Sequence, residues 1–175
     1  MHKILAVLLI SCSLIYSFAK TPGNPEELLA DPSGEKATSY TLDATTTIGD
    51  SIVRTAMEHI GARYRSGNKG PNAFDCSGFT SYVYSQQKID IAHSSRTQYT
   101  EGEPVAISDL KKGDLVFFGN NSSRSRINHV GIVTNVEDGS FEFIHACNRG
   151  VTVDTYPDVA YYAKRFVGAR RIITE

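Results

Sequence analysis

The sequence predicts an α+β fold in which helices come first and an antiparallel sheet of five to six strands follows. Three observations carry this expectation. Between Thr47 and Gln87 the apolar residues recur at helical spacing. After Pro104 the period falls to two, or to short apolar runs closed by turn residues. Helical and strand segments are thus sorted along the chain rather than alternating, which points to an antiparallel sheet. The 175 residues, 41% hydrophobic and 21% charged, suffice for one core with a tail.

The N-terminus has a short polar, positive start at His2 and Lys3, then an apolar run over residues 4–16. Ser17-Phe18-Ala19 follows, with small residues at −3 and −1 to Lys20. This is the anatomy of a secretory signal over residues 1–19. The run is too short for an integral membrane span, which needs about 20 apolar residues. Leu9-Ile10-Ser11-Cys12 also resembles a bacterial lipobox, and on that alternative Cys12 is a lipid anchor. Residues 20–46 are rich in Pro, Gly, Ser, Thr and acids and read as a flexible tether. The net charge of −1 excludes a basic field for nucleic acid.

Within residues 47–175 the elements follow in order. Ile48, Ile52, Val53, Ala56, Met57 and Ile60 mark a first helix that stops at Gly61. A loop leads to a second helix starting near Cys76, with Phe79, Val83 and Tyr82 as its stripe and Asp75 as its N-cap. "SSRTQYTEG" reads as a short helical turn. "DLVFFG", "HVGIVTNV", "SFEFIHAC", "GVTVDTY" and "FVGARRI" read as five strands, with hairpin turns at Glu137-Asp138-Gly139-Ser140 and Asn148-Arg149-Gly150. The segments 68–74, 93–98 and 120–127 read as polar loops that rim a cleft.

Chemistry-bearing residues are few. Of three cysteines, removal of residues 1–19 leaves Cys76 and Cys147. In an oxidising compartment they either form a disulfide or stay reduced because Cys76 is used. Cys76 falls in the first turn of its helix, where unpaired N–H groups and the helix dipole lower a thiol pKa from its usual value of ~8.5. Ser77 and Gly78 keep that surface small, and backbone N–H groups there suit an oxyanion. Among the histidines, His59 beside Glu58 reads as a surface or capping residue, and His93 sits beside a turn. His129 and His145 lie inside apolar strands, His145 on one face with Phe141, Phe143 and Cys147. Two readings stay open from periodicity: two separately satisfied core histidines, or a pair in which one takes a thiol proton and the other fixes its tautomer.

The stretches "FDCSGFTSYVY", "SSRTQY", "LKKGDLVFFG", "INHVGIVTN" and "FEFIHA", in this order, resemble the NlpC/P60 family of bacterial cell-wall cysteine peptidases over residues 48–173. The resemblance implies a papain-like core, a helix carrying the cysteine packed on an antiparallel sheet carrying both histidines. It implies Cys76 as nucleophile, His129 as base and His145 as the orienting third residue. Tyr64 matches a tyrosine near the oxyanion site, although the usual Y-x-x-G-G is loosened here to "YRSGNKG". Asp75 and Ser77 match positions that shape the substrate end of the cleft. The implied substrate is a peptidoglycan stem peptide, cut at a D-glutamyl–diamino acid or a D-alanyl–diaminopimelate bond. No metal or other cofactor is implied, and the implied place is the periplasm or cell envelope. The alternatives are a wall-binding module without turnover, and a relative of the same Cys/His class such as an N-acetylmuramoyl-L-alanine amidase or a lipid-modifying acyltransferase.

Overall fold

The computed structural model describes residues 46–120 and 123–173. The expected signal sequence (1–19), Cys12 and all but the last residue of the expected tether (20–46) lie outside the described residues.

Helix α1 (Ile48–Met57) starts where its first turn is capped. Asp50 N donates to Thr47 Oγ1 at 3.0 Å, and Thr47 N donates to Asp50 Oδ2 at 3.3 Å, a reciprocal capping box. The helix ends at Met57, earlier than the apolar spacing suggests. Ile48, Met57 and Ile60 stay exposed while Ile52 and Ala56 are buried. Only a narrow stripe of α1 meets the core, so its outer apolar residues do not mark burial.

Two short strands, β1 (Arg63–Tyr64) and β2 (Ala73–Phe74), pair in parallel and lead into α2 (Cys76–Gln86). A single helical turn, α3 (Ser95–Gln98), follows. The large sheet contains β3 (Glu103–Val105), β4 (Leu115–Asn120), β5 (Ser123–Glu137), β6 (Ser140–Cys147), β7 (Gly150–Tyr156) and β8 (Phe166–Arg171). Its order is β3-β8-β4-β5-β6-β7, and every pairing is antiparallel. The α+β expectation holds. The segment 120–127 differs from the expected loop: most of it belongs to β5 and pairs with the end of β4.

The sheet is apolar on both faces, which explains why "LVFF" reads as a continuous run. Leu115, Phe117, Val130, Ile132, Ile144 and Ala146 share one core with Ile52 and Ala56 of α1 and Phe79, Val83 and Tyr84 of α2. Val116, Phe118, Val133, Phe141, Phe143 and Ala169 face the other way, under Tyr162 of α4 (Ala160–Ala163). Arg171 clamps β8 to the start of β4 through two bonds to buried Asp114, Nε to Oδ1 at 2.8 Å and Nη2 to Oδ2 at 2.7 Å.

Candidate active site

Cys76 opens α2. Asp75 caps the helix as expected: its Oδ1 accepts from Gly78 N at 2.6 Å, and its Oδ2 accepts from Gly67 N at 2.9 Å. Both oxygens therefore serve the backbone, pinning the preceding loop to the helix start. Ser77 is buried, and its hydroxyl reaches Asp75 Oδ1 at 3.2 Å and the His93 carbonyl at 3.1 Å. Gly78 allows the loop to come close, since a Cβ there would sit 2.2 Å from the Asn68 carbonyl oxygen. Cys76 itself is only partly buried.

The thiol meets β5 where the sheet splits. Pairing of β5 with β6 stops at Ile132–Ile144, although both strands continue. The backbone of residues 128–130 is thus left without a ladder partner on β6. Cys76 Sγ donates to the Asn128 carbonyl at 3.9 Å, one residue before His129, rather than to the imidazole. The amides of Ser77 and Val130 point at the sulfur and favour its charged form, but burial and the Asp75 carboxylate outweigh them and push the thiol up to about 11. The helix start therefore does not yield the lowered thiol pKa expected from sequence. Desolvation is the larger effect at this position.

His129 and His145 are brought together. His129 Nε2 and His145 Nδ1 are 2.8 Å apart, with the rings nearly perpendicular. His145 is fully buried, and its Nε2 lies 2.9 Å from Asp154 Oδ2. The same oxygen accepts from Arg149 Nη2 at 2.5 Å. Burial and the neighbouring His145 hold His129 down at about 3. Burial also lowers His145, against the opposing pull of Asp154. Both rings are thus neutral at neutral pH. Tyr162 stacks on His129 at 5.7 Å between centroids.

Two hollows meet at Tyr64 and Asn128. One, about 320 Å³, is lined by Asp75, Cys76, Ser77, His93 and Arg96 among others. The second, about 550 Å³, is lined by His129, Cys147, Arg149, Tyr161 and Tyr162 among others. Tyr64 is partly exposed, and burial together with the Cys76 side raises its pKa, so it remains a hydroxyl donor. A larger hollow of about 600 Å³, over Ile48, Leu110 and Ile173, contains none of the candidate residues.

Cys76 and Cys147 are both free thiols, so the disulfide reading is set aside. Cys147 lies beside the histidines and is partly buried. His59 packs edge-on against Phe74 and Tyr82, with centroids at 5.3 and 5.1 Å, instead of standing in solvent. His93 lines the Cys76 hollow, and its Nδ1 is tied to Ser81 Oγ at 2.7 Å.

Three residues escaped the sequence reading. Gln98 is fully buried; its Nε2 donates to the Ser77 and Ala92 carbonyls at 3.2 and 2.6 Å, and its Oε1 accepts from Thr80 at 3.0 Å. Nothing in the spacing signals that role. Asp154 and Arg149 were findable. Counting outward from the Asn148-Arg149-Gly150 turn places Thr152 opposite His145 and Asp154 one step diagonal on the same face.

The NlpC/P60 family model matches residues 61–171, the segment that contains Cys76, both histidines and Asp154. The chain belongs to the NlpC/P60 family. It is 45% identical over 100 residues to a probable endopeptidase of Corynebacterium glutamicum, covering 57% of this chain and 44% of that one. The match spans less than half the length of the curated relatives. Among solved NlpC/P60 structures, a Bacillus cereus family protein superposes with a TM-score of 0.66 at 30% identity, covering 74% of this chain and 42% of that one. The NlpC/p60 domain of the peptidoglycan hydrolase SagA gives 0.59 at 34% identity, covering 71% of this chain and 99% of that one. The antiparallel sheet and Cys76 helix are thus the fold of this family. Among the described residues no helix is long and apolar enough to cross a membrane.

Proposed function

We propose that this NlpC/P60 chain is a cysteine endopeptidase of the cell envelope that hydrolyses peptidoglycan stem peptides. The bond is a D-glutamyl–diamino acid or a D-alanyl–diaminopimelate amide. The observation that carries the reading is the His129–His145 hydrogen bond, set on the same freed stretch of β5 that the Cys76 thiol touches through Asn128. Support also comes from relatives named as endopeptidases and peptidoglycan hydrolases.

In this reading the neutral thiol and neutral imidazole form the resting pair. Cys76 Sγ attacks the amide carbonyl as its proton passes to His129 Nδ1. The oxyanion is met by the Cys76 amide and the Tyr64 hydroxyl. Collapse of the tetrahedral intermediate expels the amine, which takes the proton from His129, and leaves a thioester. Water, deprotonated by His129, then releases the acid product and the thiol. Asp75 and Ser77 hold the substrate end of the cleft in shape. Residues 1–19 direct export, with Cys12 as the lipid anchor if the lipobox is used instead; the mass of the mature N-terminus separates the two.

Digestion of defined muropeptides followed by mass analysis of the fragments tests the proposal. The wild type should yield fragments cut within the stem peptide, and Cys76→Ala should yield none while keeping the native circular dichroism. Normal turnover by Cys76→Ala would refute the reading. Binding to purified peptidoglycan without soluble fragments would favour the wall-binding module, and a cut between the glycan and its first alanine would favour an amidase.

A further inference from the structure

We infer that Asp154, held by Arg149, is a positioning residue that sets the tautomers of both histidines and so leaves His129 Nδ1 unprotonated for the thiol. This rests on the endopeptidase reading above and deepens it.

One chain of contacts fixes where each proton sits. Asp154 is 9% exposed, and its Oδ2 faces two donors, His145 Nε2 at 2.9 Å and Arg149 Nη2 at 2.5 Å. A carboxylate has acceptor sites only, so the proton on that contact belongs to His145 Nε2. A neutral imidazole carries one N–H, so His145 Nδ1 is an acceptor. Its partner at 2.8 Å, His129 Nε2, must then be the donor. That leaves His129 with its lone pair on Nδ1. One carboxylate therefore sets two rings in series.

The opposite setting would disable the site. If His145 carried its proton on Nδ1, His129 would accept at Nε2 and bear its own proton on Nδ1. Such a ring has nothing with which to accept a thiol proton. The other groups facing the pair do not make this choice. Tyr162 Oη is 3.5 Å from His145 Nδ1 and is at most a weak donor to it. Arg149 is 60% exposed and reaches the rings only through Asp154. Cys147 lines the neighbouring hollow and makes no hydrogen bond to either ring.

Nitrogen NMR of the full chain, with the histidine rings labelled, reads the tautomers directly. Both His129 and His145 are expected as Nε2–H tautomers in the wild type at pH 7. A proton on Nδ1 of either ring overturns the inference, whatever any variant does. Asp154→Asn should lower kcat on the muropeptide by about 10²–10⁴-fold with KM changed less than threefold, the order seen when an orienting carboxylate is lost. Asp154→Glu should recover part of that loss, and Arg149→Gln, which keeps the carboxylate, should cost less than tenfold. A folded Asp154→Asn protein with kcat within twofold of wild type and unchanged ring-nitrogen shifts would also overturn it. Cys76→Ala separates the two proposals: if it still turns over, the peptidase reading fails. If it is inactive and Asp154→Asn is not, only the role of Asp154 fails.

Discussion

At Cys76 two opposing effects act on one sulfur. The amides of Ser77 and Val130 favour a thiolate, while burial and the Asp75 carboxylate disfavour it and win, leaving the thiol at about 11. A group so disposed does not rest as an ion pair with His129, so in the proposed mechanism the proton leaves the sulfur during attack. The contact between His129 and His145 depends on a residue with no chemistry of its own. Gly131 lies beside the pair, and a Cβ there would meet Phe143 Cδ2 at 2.8 Å and His145 Cβ at 3.2 Å. Both neighbours are fully buried and have no room to give. Gly131→Ala is expected to push His145 off its bond to His129, lowering kcat at least tenfold and stability by about 1–3 kcal/mol, as overpacking does. Muropeptide kinetics and urea denaturation check both figures, and wild-type values in both would show that the site tolerates the shift.

At the level of elements, α2 is aimed by its neighbours. Asp75 caps it, the 68–74 loop closes over Gly78, and Gln98 of α3 binds the Ser77 carbonyl from the side. Gln98→Ala leaves the Ala92 carbonyl to find a new partner inside the protein, while the Thr80 hydroxyl keeps its bond to the Ser77 carbonyl at 3.1 Å. The expected loss is about 1–3 kcal/mol, since a buried polar group left unpaired carries its desolvation penalty. A denaturation midpoint unchanged from wild type would mean that water replaces the amide. Much of this level was legible. The five expected strands correspond to β4 to β8, and both hairpin turns fall where the Gly residues put them. The strands β1, β2 and β3 were not legible, because two or three residues are too few to display a period of two. Likewise "SSRTQYTEG" showed a turn, but not that its glutamine would hold the Cys76 helix.

Over the whole molecule, the site places neutral histidines among rings. Phe118, Phe143 and Tyr162 surround them on the face of the sheet away from α1 and α2. This arrangement links stability to pH. In the unfolded chain a histidine titrates near 6.5. In the folded chain His129 is held at about 3, and His145 is shifted the same way. Between those values the unfolded state binds more protons than the folded one, so stability falls as pH falls from about 6.5 toward 3. Urea midpoints should therefore drop between pH 7 and pH 4, and His129→Gln should flatten part of that slope. An equally steep fall in His129→Gln would assign the acid sensitivity to the carboxylates instead.

The sequence by itself determined the order of helices and strands, the capped start of the Cys76 helix, and the placement of both histidines within apolar strands. Each of these rests on residues close together in the chain, where periodicity and turn chemistry act locally. Only the tertiary structure decided that β5 and β6 part beyond Ile132–Ile144, that the sulfur faces the freed β5 backbone, and that Asp154 closes the line behind His145. Those facts depend on strand register and on how far desolvation outweighs nearby amides, and both are set by contacts between residues distant in sequence.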